Sequence, residues 1–126
     1  MNRLYVALFT LLAVLFGSLF QAWRISSIID TTIEPLTQSK PFVLQEDYHT
    51  VERLLAESHN DYLEEESYLC AFVSEKLLDE VRLSYARSEA SVKAKDSAQL
   101  LSEIAALEQS LDDVRRTEVF SFQNIF

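Results

Sequence analysis

The residues best suited to chemistry are two histidines, His49 and His59, set among carboxylates. Glu46 and His49 form a Glu-x-x-His pair, a spacing that puts both side chains on one face of a helix, as ligands are presented in di-iron helical bundles. Such a centre needs a second pair and further carboxylates on facing helices. Residue 56, where the acid partnering His59 would stand, is Ala56. His49 and His59 therefore read as helix-surface residues, and a membrane-tethered sensor domain binding a metal or small molecule through them is the alternative reading. No His-Glu-x-x-His, cysteine pair or Gly-anchored calcium loop occurs. Phosphate-cradling loops need glycines, and the one glycine, Gly17, lies in an apolar run. No nucleophile elbow singles out a serine. The adjacent acids Glu64, Glu65 and Glu66 point in different directions on a helix and suit a solvated face. No catalytic residue, metal ligand or cofactor contact can be named, so the expectation is a protein that is not an enzyme.

The elements that would position any site are helices. One Gly and two Pro in 126 residues are too few for the tight turns of an all-β design. Only Arg3 of the 11 basic residues precedes the apolar run, which leaves 10 to face 20 acidic ones and a charge of about -10 on the remainder. An acidic domain without a basic stripe or a stacking platform excludes nucleic acid as a partner. The lone Cys70, between Leu69 and Ala71 and followed by Phe72, is expected to be a small buried residue.

Leu4 to Trp23, LYVALFTLLAVLFGSLFQAW, carries no charge. Twenty residues at about 1.5 Å each match a hydrocarbon core of roughly 30 Å. The run ends with bulky Phe20 where a signal-peptide cleavage site wants a small side chain, so a retained signal anchor is expected. Tyr5 and Trp23 stand near its ends, where amphipathic rings favour headgroups. The expected orientation puts the N-terminus in the cytoplasm and the C-terminal domain outside. Gly17 and Ser18 give only a weak signal for helix pairing.

Beyond the anchor, Ile25, Ile28, Ile29, Ile33 and Leu36 recur at helical spacing until Pro35, which predicts a kink or end near Thr32 to Glu34. Thr37 to Lys40 reads as a connector, with Pro41 in the first turn of the next helix. A heptad-like seam follows: Leu44, Tyr48, Val51, Leu55, Ser58, Tyr62, Glu65, Leu69 and Phe72, with Asp47 able to cap a fresh start. Ser74 caps a third helix with Leu78, Val81, Tyr85, Ser88 and Val92 on one face. Asp96 with Gln99 resembles a capping box opening a fourth, striped by Leu100, Ile104, Leu107, Leu111 and Val114, with Ala98, Ala105 and Ala106 allowing close approach. The short connection at Lys93 to Asp96 makes the last two helices an antiparallel hairpin, with the second helix as third wall. The Asp47-Tyr48 and Asp96-Ser97 starts hint at two similar hairpins.

The chain ends TEVFSFQNIF, in which Phe120, Phe122, Asn124, Ile125 and Phe126 are candidate interaction residues. The tail is either a lid on the bundle or a peptide that docks on a membrane partner or among headgroups. The predicted organisation is a lead at 1–3, a transmembrane anchor at 4–23, a helical extension and connector at 24–41, a helical bundle at 42–118 and a hydrophobic tail at 119–126. The fold class is all-α, an N-terminal transmembrane helix followed by a small antiparallel helical bundle. The N-terminal anchor, DYHTVERLLAES at Asp47 to Ser58, LSYARSEASVKAKDSAQLLSEIAALEQSLDDV at Leu83 to Val114 and the closing FSFQNIF resemble the bacterial domain of unknown function 4363 family. That resemblance implies a small membrane-anchored helical protein of spore-forming Gram-positive bacteria and no known activity or site residue. The leading expectation is a non-enzymatic accessory or interaction protein, held in the bilayer through 4–23, with a membrane-protein partner or a second copy of itself.

Overall fold

A computed structural model of the chain describes the backbone of residues 2–125 and the side chains of residues 2–116. Four helices follow one another: α1 Asn2–Leu44, α2 Tyr48–Phe72, α3 Glu75–Lys93 and α4 Ser97–Ile125, with no strand among the described residues. Each packs on its neighbours in order and α1 closes the ring on α4, which makes an up-down-up-down bundle.

The first helix departs from the sequence reading. It passes Pro35 and Pro41 without ending and stops at Leu44, so 24–41 is a wall of the bundle and not an extension with a connector. Each proline deprives the carbonyl four residues earlier of its amide, and those residues, Thr31 and Thr37, are exposed where water can replace the bond. A helix-interior proline costs about 3 kcal/mol. Downstream, Leu36 and Val43 are fully buried, and each such side chain contributes about 1.5–3 kcal/mol. Together these offset most of the cost of the two prolines, and water bonding the freed carbonyls lowers that cost further. Leu44, placed in the seam of the second helix from its spacing, is instead the 73% exposed last residue of α1.

The other stripes pack as their spacing predicts except at the end of the second, where Glu65 pairs with Arg24 at the surface and Phe72 is 46% exposed because the helix ends there without a wall to cover it. Val51, Leu55, Ser58, Tyr62 and Leu69 of α2 are buried, as are Leu78, Val81, Tyr85, Ser88 and Val92 of α3 and Leu100, Ile104, Leu107, Leu111 and Val114 of α4. The second helix is one of four walls, because Ile25, Ile29, Leu36 and Val43 of α1 join the same core. Ala98, Ala105 and Ala106 are exposed, so they do not set the helix spacing. Small core residues come from α3, whose buried Ser88 and Ser91 hydroxyls donate to the Ser84 and Arg87 carbonyls one turn back.

Two of the connections share one design. Glu46 and Lys95 adopt positive φ, 60° and 55°. The following residue donates its amide five residues back, Asp47 to Phe42 and Asp96 to Ser91, which closes a Schellman turn. That same Asp then caps the next helix, Asp47 through Thr50 and Asp96 through Gln99. The capping box at Asp96 is half formed, because the Gln99 amide group donates to Glu103 instead of reaching back. Ser74 caps α3 through the Leu77 amide. Tyr48 joins the two similar ends by a bond to the Lys95 carbonyl and one to Ser97 Oγ.

Replacing Pro41 by Ala restores an amide inside α1 at an exposed position, so Pro41→Ala should raise stability by about 1–3 kcal/mol. Denaturant unfolding of the detergent-solubilised full chain measures this. An unchanged or lowered stability would fit Pro41 in a helix first turn and contradict the continuous helix.

Candidate functional site

The histidines end up in different surroundings. Glu46 lies in the turn before α2, so Glu46 and His49 do not share a helix face, and His49 is exposed. His59 is half-buried: its ring stacks on Tyr85, with centroids 4.5 Å apart and planes 14° apart, and Nδ1 lies 2.9 Å from Glu89 Oε1. It is thus part of the α2–α3 contact rather than a plain surface residue. Among the described residues no group of three or more His, Cys, Asp or Glu side chains is placed to hold a metal.

Tyr85 leads from His59 into the most polar part of the core. Its hydroxyl lies 2.7 Å from Ser58 Oγ, and Ser58 Oγ donates to the Thr32 carbonyl at 2.7 Å. A self-consistent chain has Tyr85 donating to Ser58 and Ser58 donating to Thr32, which links α3, α2 and α1 across the bundle. Thr32 turns its own hydroxyl back to the Ile28 carbonyl. Burial pushes the Tyr85 phenol well above its ordinary range. Ser58 has its proton on a carbonyl and no histidine bonded to its oxygen, so the neighbouring Ser58 and His59 form a structural relay, not an activated nucleophile. Beside them, Tyr62 is 1% exposed, and its hydroxyl has no partner among the described residues. Burial first, then the nearby Glu66 carboxylate, pushes its phenol up to about 12.

Charged pairs run along the helix boundaries. Arg24 meets Glu65 at 3.3 Å and lies 4.6 Å above the Tyr68 ring, joining α1 to α2. Lys40 to Glu108 at 2.8 Å and Arg115 to Asp30 at 2.5 Å join α1 to α4. Arg82 of α3 contacts Glu66 of α2 through Nε at 3.0 Å and Nη2 at 2.5 Å, with Asp79 beside it. The hydrogen bonds to Glu66 hold the Arg82 guanidinium more firmly protonated than usual.

The remaining sequence candidates fall apart from this network. Cys70 is exposed, with its sulfur 3.8 Å from Arg82 Nη2, contrary to the expected burial, because the helix turns it away from the core stripe of Tyr62 and Leu69. Glu65 and Glu66 are tied to Arg24 and Arg82, while Glu64 stands in an open cleft between α1 and α2 with Arg24 and Asp61. Phe120, Phe122, Asn124, Ile125 and Phe126 lie outside the residues whose side chains are described. The Ser58 relay was missed as a unit, although both Ser58 and Tyr85 stood on the predicted core faces. A hydroxyl at each of those positions was the signal available.

Removing Ser58 and removing the Tyr62 hydroxyl should have opposite consequences. Ser58→Ala cuts the bond to the Thr32 carbonyl and leaves the Tyr85 hydroxyl only its longer bond to the Ser58 carbonyl, 3.3 Å, so it should cost about 1 kcal/mol, whereas Tyr62→Phe deletes a buried unpaired group and should be neutral or stabilising by about 1 kcal/mol. Denaturant midpoints of the two variants check this; equal losses would refute the assignment. Acid should also weaken the fold. The Asp47 carboxylate is held low by its bonds from the Thr50 hydroxyl and amide, and that of Asp112 chiefly by Arg115. A lowered folded pKa gives stability that is complete above the unfolded value, near about 4, and lost as pH falls through the folded value. Tm should hold from about pH 7 to 5 and drop below about pH 4, and Asp112→Asn should flatten that drop.

A search of curated proteins and one of solved structures find no match. A protein-family comparison matches residues 19–125 to the family described as Domain of unknown function (DUF4363). That match begins in the last turns of the apolar run and takes in all four walls of the bundle. Covering most of the chain, it establishes that the protein belongs to the DUF4363 family.

Proposed function

We propose that the protein is a single-pass membrane-anchored, non-enzymatic accessory or interaction protein that works through its acidic bundle on the extracytoplasmic side. The observation that carries this reading is the change of character along α1. That helix is long and apolar enough to cross a membrane. Its N-terminal large side chains, from Leu4 at 73% to Trp23 at 65%, are exposed, and burial sets in abruptly at Ile25. A bare apolar shaft calls for lipid, while the same helix further on is bundle core.

The charge distribution supports the choice of partner. Arg24, Lys40, Arg82 and Arg115 are engaged with carboxylates on neighbouring helices. The excess of acids is left to face outward, which favours a basic surface on a membrane partner and opposes pairing of two bundles face to face, so a second copy would pair through the anchor. The orientation rests on Arg3 preceding the run.

The full chain should remain with membranes in alkaline carbonate and enter solution only with detergent. Crosslinking in intact membranes should then yield a discrete homo-oligomer or a stoichiometric complex with one membrane protein. Release by carbonate would overturn the anchor. A strictly monomeric species without partner would overturn the accessory role.

A further inference from the structure

We propose that the α2–α3 turn is a second membrane contact, seated in the headgroup zone beside the anchor, so that the bundle rests in the bilayer surface and does not stand clear of it. The proposal depends on α1 spanning the membrane, and its test separates the two. It follows from the register between α1 and α2. Ser58 bonds the Thr32 carbonyl, Glu65 pairs with Arg24, and Tyr68 lies under the same arginine. These contacts fix two antiparallel helices that advance together residue for residue.

From the level of Arg24 and Glu65, α2 continues for seven more residues, Glu66 to Phe72, which at a helical rise of 1.5 Å per residue is roughly 10 Å. The turn at Phe72 to Ser74 is therefore level with about Gly17 of α1. An anchor confined to Leu4–Gly17 would be roughly 21 Å long, short of the roughly 30 Å of hydrocarbon. A full-length span would take in residues 18 to 23 and carry the turn roughly 10 Å into hydrocarbon, together with Lys76 and the 82% exposed side chain of Glu75. Hydrocarbon does not solvate those charges, so the bilayer thins locally to meet them at the level of the turn. Lipid headgroups are the medium at that height.

The side chains around the turn match that medium. Phe72 is 46% exposed at the tip of α2, with its ring 5.0 Å from that of Tyr68. Phe20 and Trp23 of α1 are 61% and 65% exposed, with rings 6.0 Å apart. Aromatic side chains at this depth favour the interface. Arg24, stacked on Tyr68, and Lys76, exposed in the first turn of α3, place cations among them for lipid phosphates. Leu69, Val73 and Leu78 are buried beneath this rim, so the exposure of Phe72 is not a general failure to pack there.

Trp23 is the one tryptophan and Cys70 the one cysteine, which permits a direct test on the full chain in phosphatidylcholine vesicles with acyl chains brominated near the glycerol. Three forms are compared: the natural chain, Trp23→Phe with Phe72→Trp, and Trp23→Phe with Leu12→Trp. Position 72 should lose emission to the bromines as Trp23 does, and should be shielded from aqueous iodide. Quenching of position 12 by chains brominated near their methyl ends, with none at position 72 by chains brominated near the glycerol, overturns the second contact and leaves the span intact. No quenching at either overturns both. A nitroxide on Cys70 of the unmutated chain guards against a substituted turn that is drawn into lipid or misfolds. Collisions with oxygen exceeding those with an aqueous nickel complex support the seat, and the reverse overturns it.

Discussion

The constraint on which the rest depends is a change of character along one helix, exposed and apolar all round at first, then striped and packed. Up to Trp23, α1 exposes large apolar side chains; from Ile25 it hides them against α2 and α4. The two roles differ in geometry as well as in polarity. A lipid-facing helix is apolar all round, whereas a bundle helix needs only a stripe, and the change falls at Arg24, the first charge after the run. Because α1 does not end at Pro35, the stripe of Ile25, Ile29, Thr32, Leu36, Ser39 and Val43 runs the height of the bundle. A connector at Thr37 would have removed that wall and left the stripes of α2 and α4 exposed to water.

Polar contacts then choose among the ways four such stripes could pack. Apolar stripes slide against one another at small cost, while the Ser58 relay is satisfied in one register only. The surface pairs add little stability each, on the order of 0–1 kcal/mol. They share the register of the relay, however, with Arg24–Glu65 on one side of Ser58 and the Tyr48 bonds to the α3–α4 turn on the other. Helix height and helix order are thereby fixed together. The Tyr62 hydroxyl, without a partner among the described residues, is a weak point in this arrangement, close to the Arg82–Glu66 pair that joins α2 to α3.

What the sequence made legible was periodicity and capping. The faces of α2, α3 and α4 and the caps at Asp47, Ser74 and Asp96 could be read directly, because each rests on local spacing or on a side chain bonding its own backbone. The path of α1 could not. Proline is a local signal against helix, and it was overruled by burial of Leu36 and Val43 against residues far away in the chain. The Schellman turns were hidden for another reason: their left-handed positions hold Glu46 and Lys95, where glycine or asparagine would have announced them. Cys70 was misplaced by composition, since apolar neighbours in sequence occupy different faces of a helix. His59 was read as a lone surface group because its partners, Tyr85 and Glu89, are on another helix.

The extent of the family match bears on where the domain begins. The matched region starts at residue 19, ahead of the first charged residue after the apolar run and within the stretch that the α2–α3 turn flanks. The matched unit is thus the four-helix bundle together with its neck, and not the bundle alone. Tyr68, Phe72 and the cation at Arg24 belong to that unit through packing: Arg24 is held by Glu65 and lies over Tyr68, and Tyr68 lies against Phe72. A neck built from contacts between α1 and α2 cannot be lengthened without losing them. The position of the bundle along the apolar shaft is therefore a property of the fold and not of a linker.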